Sequence, residues 1–107
     1  MGWEQEAFVR SLSSLSANTV AAYRCDVRDF AVWAERAGVT GPGAVDHLVL
    51  RRYLSFLTTR RLAKRSIARK AAALRRYFAW LTRTGVLTTD PSRRLWRPVA
   101  TVASPMS

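Results

Sequence analysis

Arg65, Arg69, Arg76 and Arg83 are separated by steps of four, seven and seven residues. At about 100° per residue, a helix brings all four within about 20° of one line along its side. A guanidinium is a planar fork of N–H donors that matches phosphate oxygens and guanine edges. Lys64, Ser66 and Lys70 lie toward the start of the same stretch, where free backbone N–H groups and the positive end of the helix dipole also favour phosphate. The chemistry on offer is recognition of a polyanion. Few other residues suit bond-making chemistry. His47 is the single histidine and Cys25 the single cysteine, too few and too far apart for a metal centre. "GPG" at 41–43 lacks the lysine and the strand context of a phosphate loop. Asp26 and Asp29 read as solvent-facing carboxylates or as partners of Arg28 and Arg36 at helical spacing. No cofactor and no metal are expected.

The arginine line needs a helix whose opposite side is pinned in a core. Ile67, Ala71, Leu74, Phe78 and Leu81 supply that side, all within about 40° of Ile67. This basic helix begins at Ser66 or just before it and runs to Thr84, with Gly85 as its stop. Ala72 and Ala73 sit beside the arginine line, where small side chains allow close approach to a surface. Three further helices complete the reading. Residues 3–13 form a short first helix through Phe8, Val9 and Leu12. Ser16 caps a second helix, with Thr19 at its third position; it runs to about Ala37 and ends at Gly38. Its core face holds Val20, Tyr23, Val27, Phe30, Ala31 and Ala34, with Cys25 half-buried beside it. Asp46 caps a third helix over 47–60, with Leu50, Leu54 and Leu57 inward and Tyr53 next to them. "GVLTT" is weakly strand-like, and Pro91 and Pro98 resist helix. The expected fold is all-α, a small four-helix bundle.

The chain has 107 residues and a net charge of +11, which fits one domain. The charge is uneven: residues 1–50 hold four Arg against six acids, and residues 51–107 hold fourteen Lys and Arg against Asp90 alone. No acid occurs between Arg51 and Thr89. A helix that is merely solvated interleaves the two signs, so the pattern points to a polyanionic partner on one side of the fold. A single cysteine fits a reducing, cytoplasmic setting, the N-terminus lacks the order of a signal peptide, and no apolar run reaches the ~18 residues of a membrane span.

"SANTVAAYRCDVRDFAVWAERAG", "LRRYLSFL", "RSIARKAAALRRYFAWLTRTGVLTTDPSRRL" and the later "RP" together resemble the N-terminal core-binding domain of Xer-type tyrosine recombinases, the SAM-like domain of the phage integrase family. The resemblance covers about residues 5–98. It implies an orthogonal bundle of four helices whose second and fourth helices face double-stranded DNA and clamp a recombination half-site. Carried over by motif, Ser16, Asn18, Thr19, Tyr23 and Arg24 would meet backbone phosphates. Lys64, Arg65, Ser66, Arg69, Lys70 and Arg76 would enter or flank the groove, and Arg75, also in the family pattern, flanks the core by angle. The family's catalytic set of paired arginines, lysine, histidines and nucleophilic tyrosine belongs to a separate C-terminal domain that has no counterpart here. The expectation is therefore a non-enzymatic piece of a longer recombinase, monomeric by itself. Residues 1–98 would form the binding domain and 99–107 the start of an interdomain linker.

Two other functions compete. A protein-interaction module, meeting recombinase protomers or another partner, would use Trp33 and Trp80 as anchors. An RNA-binding module would use the same basic face, though the chain shows no aromatic platform for single strands. Trp96 is expected to pack the trailing segment onto the bundle, with Arg93, Arg94 and Arg97 beside it able to touch phosphate.

Overall fold

The computed structural model describes residues 2–93. Four α-helices form: α1 (Gln5–Arg10), α2 (Ala17–Arg36), α3 (His47–Thr59) and α4 (Lys64–Arg83). A single 3₁₀ turn, Pro42–Ala44, lies between α2 and α3. Among the described residues there is no strand, and the segment after Gly85 that alternates weakly in sequence is turn and bend. Trp96, Arg94, Arg97 and residues 99–107 lie outside the described residues.

Local chemistry sets the boundaries. The Ser16 hydroxyl accepts from the Thr19 amide at 3.2 Å, and the Asp46 carboxylate accepts from the Val49 amide at 3.0 Å. Each satisfies one of the orphan donors of a first turn. Three helices end alike. Beyond α2, Gly38 at φ 90 turns the chain so that Val39 N–H reaches the Ala34 carbonyl. Beyond α4, Gly85 at φ 87 brings Val86 N–H to the Leu81 carbonyl. Beyond α3 the same closure, Leu62 N–H to the Leu57 carbonyl, is made with Arg61 at φ 60. A left-handed cap prefers glycine, so Arg61 carries the steric cost of its Cβ.

The core is aromatic at its centre. Phe30 of α2 meets Trp3, Tyr53 and Phe78 edge-on, with ring centroids 5.9, 5.0 and 6.0 Å away. Such edge-to-face pairs add to the stability from apolar burial. Phe8 of α1 packs on Tyr77 and Trp80 of α4, and Leu12, Leu50, Leu57, Leu74 and Leu81 fill the remainder. The segment before α1 is pinned by two side chains: Trp3 Nε1 donates to Glu35 at 2.8 Å, and the Tyr77 hydroxyl donates to the Trp3 carbonyl.

Candidate nucleic-acid interface

The basic helix is rolled about its axis relative to the sequence pattern. Its buried residues are Ala73, Leu74, Tyr77, Phe78 and Leu81, and these centre about 50° from Ile67. Ile67 and Ala71, expected in the core stripe, are only half-buried. Ala73, expected beside the arginines, is fully buried. The roll follows from the partners of α4: Phe8 and the carbonyl of Trp3 draw Tyr77 inward, and carboxylates on α2 draw Lys70 inward.

Those carboxylates are the second departure. Asp26 is not solvent-facing; its relative exposure is 0%, and its partners lie 43 and 44 residues away in sequence. Arg69 donates to it twice, from Nε at 3.0 Å and Nη2 at 2.8 Å, and Lys70 Nζ donates at 3.1 Å. Lys70 also donates to Asp29 at 3.1 Å. The hydrogen bond to Asp26, opposed by partial burial, raises the Arg69 pKa above the usual arginine value. Arg28 only brushes Asp29, at 4.0 Å. The buried charge of Asp26 is tolerated because both of its oxygens accept hydrogen bonds from close cations.

The residues assigned to DNA in sequence therefore divide. Lys70 is 12% exposed and clasped by two carboxylates. The Arg69 side chain is paired but 49% exposed. Lys64, Arg65 and Arg76 are exposed, as are Arg75 and Arg83. No acid on α4 opposes them. Ser66 is half-buried. On α2, Ser16 and Asn18 are exposed, Thr19 and Tyr23 are half-buried, and Arg24 is exposed, lying 3.6 Å from Glu6 in an open surface pair. Helices α2 and α4 meet through Asp26 with Arg69 and through Phe30 with Phe78. Neither helix has an acid in its first turn. Ala63, which precedes α4, has no side-chain oxygen to cap it, which leaves the positive dipole end uncompensated.

By its angle in the sequence pattern Arg75 flanks the core; the roll of α4 exposes it. Arg51, Arg52, Arg60 and Arg61 add exposed cations on and after α3, and Arg60 stacks over the Phe56 ring at 5.6 Å. The signal for these four was the acid-free run itself. Cys25 is exposed rather than half-buried. Trp33 is packed on Phe30, Tyr53 and Phe56, and Trp80 on Phe8. Burial raises the pKa of the Tyr53 phenol, with Asp29 and Asp26 adding to the effect. Burial and, secondarily, Glu4 do the same for Tyr77. Both phenols are thereby held in the protonated form. Among the described residues no group of His, Cys, Asp and Glu could hold a metal ion, and no helix is long and apolar enough to cross a membrane.

Residues 6–85 match the family model of the phage integrase N-terminal SAM-like domain, and the chain belongs to that family. Among curated proteins it is similar to a tyrosine recombinase XerC of Roseiflexus sp. (strain RS-1), 35% identical over 92% of this chain and 32% of that protein. It is also similar to XerC of Bifidobacterium longum (strain DJO10A), 37% identical over 86% of this chain and 26% of that protein. XerC of Chromohalobacter salexigens is 40% identical over 80% of this chain and 29% of that protein. The chain thus spans a third or less of the length of these relatives. No solved structure matches it. The all-helical architecture agrees with the SAM-like domain class.

Proposed function

We propose that this chain is the DNA-binding arm of a site-specific tyrosine recombinase, gripping duplex DNA through the outer face of α4 and the start of α2, and performing no strand cleavage itself. The observation that carries this reading is the set of exposed, acid-free cations on α4: Lys64, Arg65, Arg75, Arg76 and Arg83. They project from a helix held rigidly by its buried side, a shape that a major groove admits. The start of α2, with Ser16, Asn18 and Arg24, would contact the adjacent backbone. Arg60 and Arg61 are close enough in sequence to the start of α4 to extend the same cationic edge.

Three features support the absence of cleavage chemistry in this piece. The family model is that of an N-terminal domain. Tyr53 and Tyr77 are buried with raised pKa values, a poor state for a nucleophile. The one histidine, His47, sits at the start of α3. The remainder of a full recombinase would supply catalysis, and other protomers would be its partners in a synaptic assembly.

The test is a fluorescence-anisotropy titration with a recombination half-site duplex and a scrambled duplex at several salt concentrations. About five phosphate contacts predict a log–log salt slope of about −4 to −5. Preference for the half-site would add base readout. Equal, salt-steep binding would define a backbone clamp. No binding at low salt would refute the proposal.

A further inference from the structure

Arg69 carries five N–H donors and uses two of them on Asp26, through Nε and Nη2. The remaining edge of the fork belongs to a side chain that is 49% exposed, on the helix whose outer face carries Arg65 and Arg76. Asp26 itself is fully buried, and its Oδ1, which accepts from Arg69 Nη2, also accepts from Lys70 Nζ. The carboxylate therefore cannot swing with the guanidinium; it is a fixed anchor set into α2. An arginine free in solvent loses rotamer freedom when it captures a phosphate. One already docked on a buried carboxylate has little left to lose. The four charges of Asp26, Asp29, Arg69 and Lys70 also cancel, so the anchor does not add a net negative field beneath the fork.

Resting on the DNA-binding reading above, the geometry points to Asp26 as a positioning residue for phosphate recognition: it clamps one edge of the Arg69 guanidinium so that the other edge is presented to the DNA backbone. This reverses the usual expectation for an acid near DNA. On charge alone, removing Asp26 raises the net charge and tightens binding. As a positioning residue, its removal frees Arg69 and weakens binding.

The experiment titrates a labelled random-sequence duplex with the 107-residue chain and with the D26N, R69K, D29N and R76A variants. Affinity and the slope of log K against log[salt] are read at a temperature where circular dichroism shows each variant folded. We expect D26N and R69K each to bind about five- to tenfold more weakly, with the slope reduced in magnitude by about 0.9, one phosphate contact. The lysine of R69K keeps the charge and the pairing with Asp26 but has no second edge. D29N should bind as well as the parent or slightly better. Tighter binding by D26N, or an unchanged slope in R69K, overturns the proposal. If D26N does not fold, R69K decides alone, because it retains both charges of the pair. R76A separates the two levels of the argument. If R76A weakens binding while D26N and R69K do not, only the positioning role fails. If the parent chain does not bind at low salt, the DNA-binding reading fails and takes the positioning role with it.

Discussion

Helix α4 uses the same residue types in two opposite ways, one to two turns apart. Arg69 and Lys70 turn toward α2 and close on Asp26 and Asp29, where they hold two helices together. Arg65 and Arg76 face outward with no acid of their own helix to meet. Nothing in the side chains distinguishes the two groups. The difference lies in where the acids of α2 come to rest, and those acids belong to the half of the chain with negative net charge. A basic helix is therefore not a uniform charged rod: part of its charge is consumed by the fold, and the unconsumed part is what a polyanion can reach.

The largest expected effect breaks the inner group. Replacing Asp26 with Ala leaves the half-exposed Arg69 unpaired and Lys70 with Asp29 alone, and should cost about 3 kcal/mol of stability, the low end for breaking a buried ion pair. Replacing Arg76 with Ala should change stability by no more than about 0.5 kcal/mol. Urea unfolding of both variants measures the contrast, and equal midpoints would erase the distinction between the two groups. Next in size, Y77F removes the hydroxyl that pins the Trp3 carbonyl and leaves a buried acceptor unpaired, at about 1–3 kcal/mol.

The same tyrosine sharpens the view of the core through pH. The Tyr53 and Tyr77 pKa values are raised by burial, so the folded state binds these protons more tightly than the unfolded chain. Their contribution is fully present below the ordinary phenol value of about 10 and is lost as pH climbs beyond it. Tyrosinate absorbance from these two residues should therefore rise together with loss of helical ellipticity. Smaller again, S16A removes the cap of α2 and should cost about 1 kcal/mol. R61G relieves the positive φ after α3 and should stabilise by a few tenths to about 1 kcal/mol. Thermal melts read both, with opposite signs.

Much of the fold could be read from local chemistry. Ser16 and Asp46 cap the helices expected of them, and Gly38 and Gly85 stop theirs, because each device needs only its own neighbours in sequence. Arg61 could not be read this way, since a non-glycine residue in a left-handed cap leaves no compositional mark. The roll of α4 was also hidden. Its apolar pattern centres on Ile67, whereas Tyr77 and Lys70 are drawn inward by groups on other elements. The Asp26 pairing spans 43 residues and has no local signature. One clue existed: Asp26 stands four residues before Phe30, about 40° away on α2, so an acid sat on the edge of an apolar stripe and had to find a cation there. The outward arginines were legible because an acid-free run leaves little else for their charge to do.

The most direct measurement is the salt dependence of duplex binding for the parent chain and for the R65A/R76A/R83A triple variant. The account predicts steep salt dependence for the parent, a slope smaller in magnitude by about 2.7 for the triple variant, the loss of three phosphate contacts, and an unchanged unfolding midpoint. Indistinguishable affinity and slope in the two proteins would contradict it.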